Sequence, residues 1–497
     1  MNPRILVLAI FLIVSFSHAA YTAADWRAEV DNIFAPSPAP PGSWKGVFYD
    51  NNFGSKNDPE HIPVFAESLK DMPIDQFDSM DLFEESSIST GGELRFRYMD
   101  ERNRLRGPAG RSTYDLWRWR HYLDYKSGDT FRVYSEIIDA SIFENELPAT
   151  GIDLNRWNIQ QSFVDVKIFE FDNRPVYFRA GRQELLYGSQ HLISPLDWGN
   201  TRRNFEGFKL FSRGDQWDLD AFATRPVNTA TGRPLAMFDN ERDKADSTRW
   251  FSGVYAVYKG LPQQVVDLYW LYLYTDPGFD NPARADGDRH TIGTRWQGTR
   301  AAAGSSGPLA QSWKAEVEGA YQFGQDNGLD VSAGFFTSTL SVTLPNVAWT
   351  PELTAVYYWG SGDHNAADGK NQTFDTLFPL AHAYWGFIDN LGGQNLNDLC
   401  IQAAVKPTKQ LSFLAAMHWF DLDTNNDFLY TAPGGQAGAI GSGTEIGEEL
   451  DLVANYSFNP NLSLQAGYFW FWYGNYVNNS LPRPDAEQFY LQSIFRY

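Results

Sequence analysis

From residue 93 onward, apolar and polar positions alternate with a period of two, the signature of strands with two unlike faces. Leu94, Phe96 and Tyr98 fall on one side, and Glu93, Arg95 and Arg97 on the other. Trp117, Trp119, Leu123 and Tyr125 oppose Arg118, Arg120, Asp124 and Lys126, with His121 interrupting the apolar face. Phe131, Val133 and Ile137 oppose Arg132, Tyr134 and Glu136, and Val164 and Val166 oppose Asp165 and Lys167. Further on, Trp313, Ala315, Val317 and Tyr321 oppose Lys314, Glu316, Glu318 and Gln322, and Leu450, Leu452 and Tyr456 oppose Glu449, Asp451 and Asn455. The closing stretch, FYLQSIFRY, keeps the period and ends on an aromatic, Tyr497. About 18 such segments follow one another, the first near Glu93 and the last near Glu487. The number is even, as in single-chain bacterial outer-membrane barrels.

A charged face that recurs on strand after strand separates two architectures. A soluble sandwich turns the apolar face inward, whereas a lipid-facing barrel turns it outward and gives the charged face to a wet lumen. Inward Arg, Glu and Asp at this density need such a lumen, because an unpaired ion in a dry interior costs several kcal/mol. Aromatic residues also crowd strand ends, as in YFWFWYGNY from Tyr468 to Tyr476, where an interfacial belt belongs. The pattern predicts an all-β fold: a transmembrane antiparallel β-barrel of about 18 strands over residues 91–497, preceded by an irregular extension. Ordinary strand spacing and tilt give a cylinder roughly 36 Å across, with a lumen for loops to narrow. Closure sets the Phe489 to Tyr497 strand against the Glu93 strand and leaves no open edge. A terminal aromatic after alternating apolar positions also resembles the signal by which such barrels are recognised for insertion.

Before the alternation begins, the chain reads differently. Met1-Asn2-Pro3-Arg4, an apolar run from Ile5 to Phe16 and the small residues Ser17, Ala19 and Ala20 predict a secretory signal peptide over residues 1–20. Residues 21–90 carry the Pro-rich APSPAPPGSW and the acidic DQFDSMDLFEESS, and are expected to form a periplasmic extension that lies below the barrel or enters its lumen. No later run of 18 apolar residues predicts a membrane-spanning helix. Aromatic residues make up 16% of the chain, a share that suits a barrel with aromatic girdles. A single cysteine, Cys400, excludes an internal disulfide framework. The net charge of −21 argues against nucleic acid as a partner. That charge is uneven: residues 91–213 hold 19 Lys plus Arg, 16 of them Arg, against 17 Asp plus Glu.

Three blocks carry a more specific signal: FRAGRQELLYGSQHLISPLDWGNTRRNFEGFKL from Phe178 to Leu210, SGDHNAADGKNQTFDTLFPLAHAYWGFIDNLGGQNLND from Ser361 to Asp398, and IGEELDLVANYSFNPNLSLQAGY near the C-terminus. In these the chain resembles the alginate export family of outer-membrane porins. The resemblance implies an 18-stranded barrel in the bacterial outer membrane, whose Arg-rich pore passes an anionic uronate polysaccharide. It implies as partners that polysaccharide and the lipid bilayer, and it admits periplasmic export proteins.

A polyuronate presents a carboxylate on every ring, so its path needs weak, repeated cation sites. One Arg–carboxylate pair at 4 Å is worth about 1 kcal/mol in water and about 4 at intermediate dielectric, so several in a row hold a chain without trapping it. The planar guanidinium meets a carboxylate bidentately, which favours Arg over Lys. Alternation places Arg95, Arg97, Arg118, Arg120, Arg132 and Arg179 on the lumenal face, and the resemblance adds Arg182, Arg202 and Arg203. Tyr134, Tyr177 and Tyr269 would offer flat faces to sugar rings. The competing assignment pairs these Arg with lumenal Glu93, Asp124, Glu136 and Asp165 across strands and makes the Tyr residues wall packing. Asp363 and Asp389 are expected to order loops.

Other functions have less behind them. Uptake of small anionic solutes or oligosaccharides would use the same barrel, and a structural barrel with a plugged lumen needs no selectivity. An outer-membrane enzyme requires a Ser–His dyad near a rim, and His121 is the only His on a well-patterned strand face before His290. No G-x-S-x-G and no His pair at zinc spacing occurs, so neither an enzyme nor a cofactor is expected. DLDTNND puts Asp421, Asp423, Asn425 and Asp427 at calcium-loop positions, but Asn426 stands where that loop needs Gly and Ala432 where it needs an acid. GGQAGAIGSG lacks a βα context and reads as a loop.

Overall fold

The computed structural model describes residues 44–51, 53, 65–74, 86–229, 243–276, 286–300, 311–432 and 434–497, so the signal-peptide reading of residues 1–20 lies outside the described residues. Eighteen long strands lie among them: β1 (Ser86–Arg102), β2 (Arg111–Ser127), β3 (Phe131–Phe143), β4 (Asn155–Phe171), β5 (Arg174–Gln183), β6 (Phe205–Arg213), β7 (Trp217–Asn228), β8 (Arg249–Tyr258) and β9 (Gln264–Thr275), then β10 (Gly287–Arg300), β11 (Ser312–Asp326), β12 (Leu329–Thr343), β13 (Glu352–Gly360), β14 (Leu396–Val405), β15 (Leu411–Leu422), β16 (Glu445–Asn459), β17 (Leu462–Tyr473) and β18 (Ala486–Arg496). Each pairs antiparallel with its neighbour in sequence. All eighteen expected segments fall on or beside these strands, and β1 starts earlier than expected, at Ser86 rather than Glu93. One short α-helix, Asn475–Ser480, stands between β17 and β18.

The polarity of the wall decides between sandwich and barrel. Leu94, Trp117 and Leu123 are about half exposed, at 45%, 50% and 51%, while Arg95, Arg118 and Glu93 on the opposite faces are 1–2% exposed. Apolar side chains thus face out and charged ones face in, the reverse of a soluble domain. In lipid every backbone N–H and C=O must be satisfied within the protein, and a closed sheet does this by having no edge.

The seam closes as register requires. Strand β1 pairs with β18 from Glu93↔Arg496 and Leu94↔Phe495 through Arg102↔Glu487. Tyr497 extends the ladder: its N–H donates to the Gly92 carbonyl at 3.0 Å and its carbonyl accepts from Gly92 N at 2.8 Å. The Tyr497 hydroxyl accepts from Trp119 Nε1 at 2.9 Å and lies 3.3 Å from His121 Nδ1, which explains the polar residue on that otherwise apolar face. Lys70 reaches the same place from the extension, its Nζ donating to the carbonyls of Thr90 and Tyr497.

Three segments turn into the barrel. Residues 184–204, between β5 and β6, and 361–395, between β13 and β14, meet in the lumen. Phe378 N donates to the Leu192 carbonyl at 2.9 Å and Leu380 N to the Gln190 carbonyl at 3.0 Å. The Trp198 ring stacks on His382 with centroids 3.5 Å apart, and Trp198 Nε1 donates to Asp389 Oδ2 at 2.7 Å. The third segment, residues 44–53, buries Trp44, Val47, Phe48, Tyr49 and Phe53 against Tyr122, Tyr134 and Phe163 of the inner wall.

A lumenal arginine cluster as candidate functional site

The inner faces of β1 to β5 carry a row of guanidinium groups. Odd positions on β1 and even positions on β2 and β3 point inward; register sets Arg95 opposite Arg118 and Glu93 opposite Arg120, with Arg97 one inward position along, while Arg132 lies opposite Lys126 further along the wall. Each of these strands contributes a carboxylate beside them. Arg118 donates to Glu93 Oε1 at 2.6 Å, Arg120 to Glu136 Oε1 at 2.6 Å and Arg132 to Asp124 Oδ1 at 2.7 Å. Arg179 on β5 binds Asp165 of β4 bidentately, at 2.7 and 2.8 Å. These pairs are those of the competing assignment, and burial makes them strong, since each partner alone would be an uncompensated ion.

The inward segments supply further partners. Arg95 donates to the carbonyls of Asp197 and Gly199 at 2.8 and 2.5 Å. Arg118 donates to the same two carbonyls, each at 3.0 Å, and to Asp197 Oδ1 at 2.8 Å. Arg97 donates to the Trp198 carbonyl at 3.0 Å and lies 3.5 Å from the centre of the Trp198 ring. Arg202 binds Glu184 through Nε and the second terminal nitrogen, both at 2.6 Å, contacts Asp197, and donates to the Gly46 carbonyl at 3.0 Å. Arg120 lies 4.0 Å from the Phe48 ring and Arg179 4.5 Å from the Tyr49 ring, so the 44–53 segment covers the row with aromatic faces. Arg132 donates to the Tyr49 carbonyl at 2.6 Å.

Asp197 stands at the centre. Burial disfavours its charged form, but the guanidinium groups of Arg202, Arg118 and Arg95 outweigh that and hold its carboxyl well below the usual carboxylate range. It belongs to an inward loop rather than to the wall, yet it binds two Arg side chains at once.

Three expected residues stand apart from the row. Arg182 sits on the outward face of β5, because Arg179 points in and the parity of a strand puts position 182 on the other side. It pairs there with the exposed Glu206 at 3.0 Å. Arg203 donates to the carbonyls of Ser194, Phe378 and Pro379 and joins the two long loops; burial, with Arg249 adding repulsion, lowers its pKa to about 10. Tyr134 is fully buried, stacks on Tyr122 and Phe163, and donates to Glu136 Oε2 at 2.9 Å. Asp389 accepts from Trp198, and Asp363 Oδ1 accepts from Asn365 N at 3.1 Å.

The calcium-like positions diverge. Asp423 accepts from Trp359 Nε1 and Gly362 N, Asn425 Oδ1 from Gly443 N, and Asp427 from Asp363 N, Thr373 and Tyr430. A metal-like grouping that sequence reasoning missed joins the 184–204 loop to β11: donor atoms of His191, Glu316 and Glu318 lie within 4.8 Å of one another. Protein donors already serve these carboxylates, Tyr269 and His191 on Glu318, Ser189 and Arg295 on Glu316. The other partners missed, Asp197 and Trp198, lie inside the LDWGN run, whose lack of any period hid their inward course.

With the geometry in place, the comparisons are decisive for family. The sequence model described as Alginate export matches residues 86–490, nearly the whole barrel. The chain belongs to the alginate export family. Among solved structures it is similar to the outer membrane protein OprD of Pseudomonas aeruginosa, with a TM-score of 0.52 at 12% identity over 82% of this chain and 93% of that one. OpdQ of the same organism gives a TM-score of 0.52 at 13% identity, over 82% and 98% of the two chains, and OccD3 (OpdP) gives 0.52 at 14%, over 82% and 91%. At such identities the likeness is one of fold. No curated protein matches the chain. The family and the barrel together make this protein an outer-membrane channel.

Proposed function

We propose that the channel passes an anionic, uronate-type polysaccharide along the arginine row of β1 to β5, and that Arg95, Arg97, Arg118, Arg120, Arg132, Arg179 and Arg202 are its contacts. The observation that carries this reading is Asp197. A carboxylate carried by a peptide chain threads past the row and is held by Arg118 and Arg202, as a uronate carboxylate on a glycan chain would be. Movement of the 184–204 loop exchanges one carboxylate for another, so the cost of leaving Arg unpaired never arises. Because each substrate ring repeats the same charge, many exchangeable contacts hold the polymer and none traps it.

Planar bilayers under a salt gradient test the reading. The parent channel is expected to be anion-selective despite a net charge of −21, and to be blocked by oligouronates more strongly than by neutral oligosaccharides of equal size. Asp197→Asn removes the internal competitor and should strengthen block, while Arg118→Glu should weaken it. Rising salt should weaken block in the parent through screening. A cation-selective parent indifferent to uronates overturns the proposal. The filled lumen favours one alternative, passage of small anionic solutes; it predicts that monomeric uronates block as well as longer oligomers.

A further inference from the structure

Several arginines of this lumen hold an acid side-on, and they do it with one edge of the guanidinium, Nε together with Nη2. Arg132 grips Asp124 in this way at 2.7 and 2.9 Å, Arg179 grips Asp165 at 2.7 and 2.8 Å, and Arg202 grips Glu184 at 2.6 Å through both nitrogens. Arg203, the next residue in the chain, forms no ion pair among the described residues. It donates through Nη1 alone, to the carbonyls of Ser194, Phe378 and Pro379 at 3.1, 2.6 and 3.2 Å. Its side chain is half-buried, its Nε and Nη2 donate to no acceptor among the described residues, and neither nitrogen is sealed from solvent.

The surrounding charge agrees with that geometry. The charge that acts on Arg203 is another cation, Arg249, the first residue of β8. Arg249 has an acid of its own, Asp246, at 3.0 Å. A guanidinium drawn out of bulk water without a counter-charge is costly, yet three backbone carbonyls are committed to orienting this one. They come from both inward segments, Ser194 from residues 184–204 and Phe378 and Pro379 from residues 361–395, and they fix the plane of the fork. The edge that meets a carboxylate in two parallel bonds is thereby set in advance, which lowers the ordering cost of binding. The Phe378 ring, centred 5.5 Å from the guanidinium carbon, gives the place an apolar side.

We infer that the Nε and Nη2 edge of Arg203 is a carboxylate-binding site, built where the two inward segments meet and separate from the arginine row on the wall. In the channel its ligand is one uronate carboxylate of the passing glycan, an assignment that rests on the proposed function above. The site differs from the row in what binding displaces. Arg118, Arg132, Arg179 and Arg202 must give up an internal carboxylate to take one from the substrate. Arg203 gives up none, so its contact adds to the hold on the polymer instead of exchanging one acid for another. Lysine would keep the charge there and lose the planar fork, so the site distinguishes the two cations.

Two measurements on the full chain test this, with folding of each variant checked by the shift in gel mobility on heating. In detergent, saturation-transfer NMR should detect glucuronate on the parent and not glucose, and the glucuronate signal should be lost in Arg203→Gln and Arg203→Lys. In planar bilayers, the residence time of a hexauronate should shorten about 10-fold in Arg203→Lys relative to that of a neutral hexasaccharide, as expected for a lost charge-assisted pair. The inference is overturned if glucuronate binds Arg203→Gln as it binds the parent. It is overturned also if both hexasaccharides shorten in the same proportion, since Arg203 would then only join the loops, or if inorganic phosphate displaces glucuronate at lower concentration than acetate does, since the ligand would then be a tetrahedral oxyanion. Glucuronate binding that the Arg203 variants abolish, in a channel that hexauronate does not block, upholds the site and removes the polysaccharide path. Block by hexauronate that is indifferent to Arg203 does the reverse.

Discussion

Arg118 joins two carboxylates of different origin, Glu93 of its neighbouring strand and Asp197 of an inward loop. Removing a buried partner leaves the others uncompensated, so Arg118→Met should lower stability to urea by about 3–5 kcal/mol, and adding Glu93→Gln should recover part of the loss. An unchanged midpoint in the single variant would mean that water reaches these acids. Asp197 gives a sign for pH. Its folded pKa lies below the ordinary carboxylate value, so its contribution is fully present above about pH 4 and fades as pH falls through and below that range. Protease protection of the 184–204 loop should therefore survive at pH 5 and weaken towards pH 3, and Asp197→Asn should remove that acid sensitivity. Alternation gave the side on which each of these residues lies, because parity is local. It could not give partners such as Arg95 and Asp197, which lie far apart in the chain, and Arg182, put in the lumen by the resemblance, points outward as the parity of β5 requires.

At the scale of elements, the strands were legible and the inward segments were not, for one reason. A strand between lipid and lumen must change polarity at every residue, which writes the period into the sequence. A segment packed inside the lumen meets protein on all sides and has no such constraint, so SPLDWGNTRR and the 44–53 stretch read as loop or extension. Trp44, Phe48 and Tyr49 nonetheless fill the space beside Tyr122, Tyr134 and Phe163, and Lys70 lies over Trp44, Phe53 and Tyr122. Deleting residues 44–53 should leave the barrel folded and raise single-channel conductance, since the eighteen wall strands make their ladder without it. Equal conductance in parent and deletion would place the limiting constriction at the two long loops instead. Trp198→Ala tests that constriction: it removes the stack on His382 and the face under Arg97, so the joined loops should part and the open-channel current should become larger and noisier.

For the whole molecule, everything depends on closure, because a barrel in lipid has no partially satisfied form. Phe495, Arg496 and Tyr497 supply the end of the seam: Phe495 pairs with Leu94, Arg496 lies 3.3 Å from Glu93, and Tyr497 exchanges two backbone hydrogen bonds with Gly92. Tyr497 also receives Trp119 Nε1 and Lys70 Nζ. Deleting these three residues would open the β1 edge at one rim and leave Glu93 with one cation fewer, and each unsatisfied backbone group facing lipid costs several kcal/mol. The deletion variant is therefore expected to give no heat-modifiable species and no surface-exposed protein. Tyr497→Phe is the informative contrast, since it keeps the backbone ladder and the ring and loses only the hydroxyl. Its cost should be near that of one or two hydrogen bonds, about 1–2 kcal/mol, with normal amounts of folded barrel. Should the deletion variant fold in the same yield as the parent, closure would rest on the other pairs between β1 and β18, and the terminal residues would be dispensable.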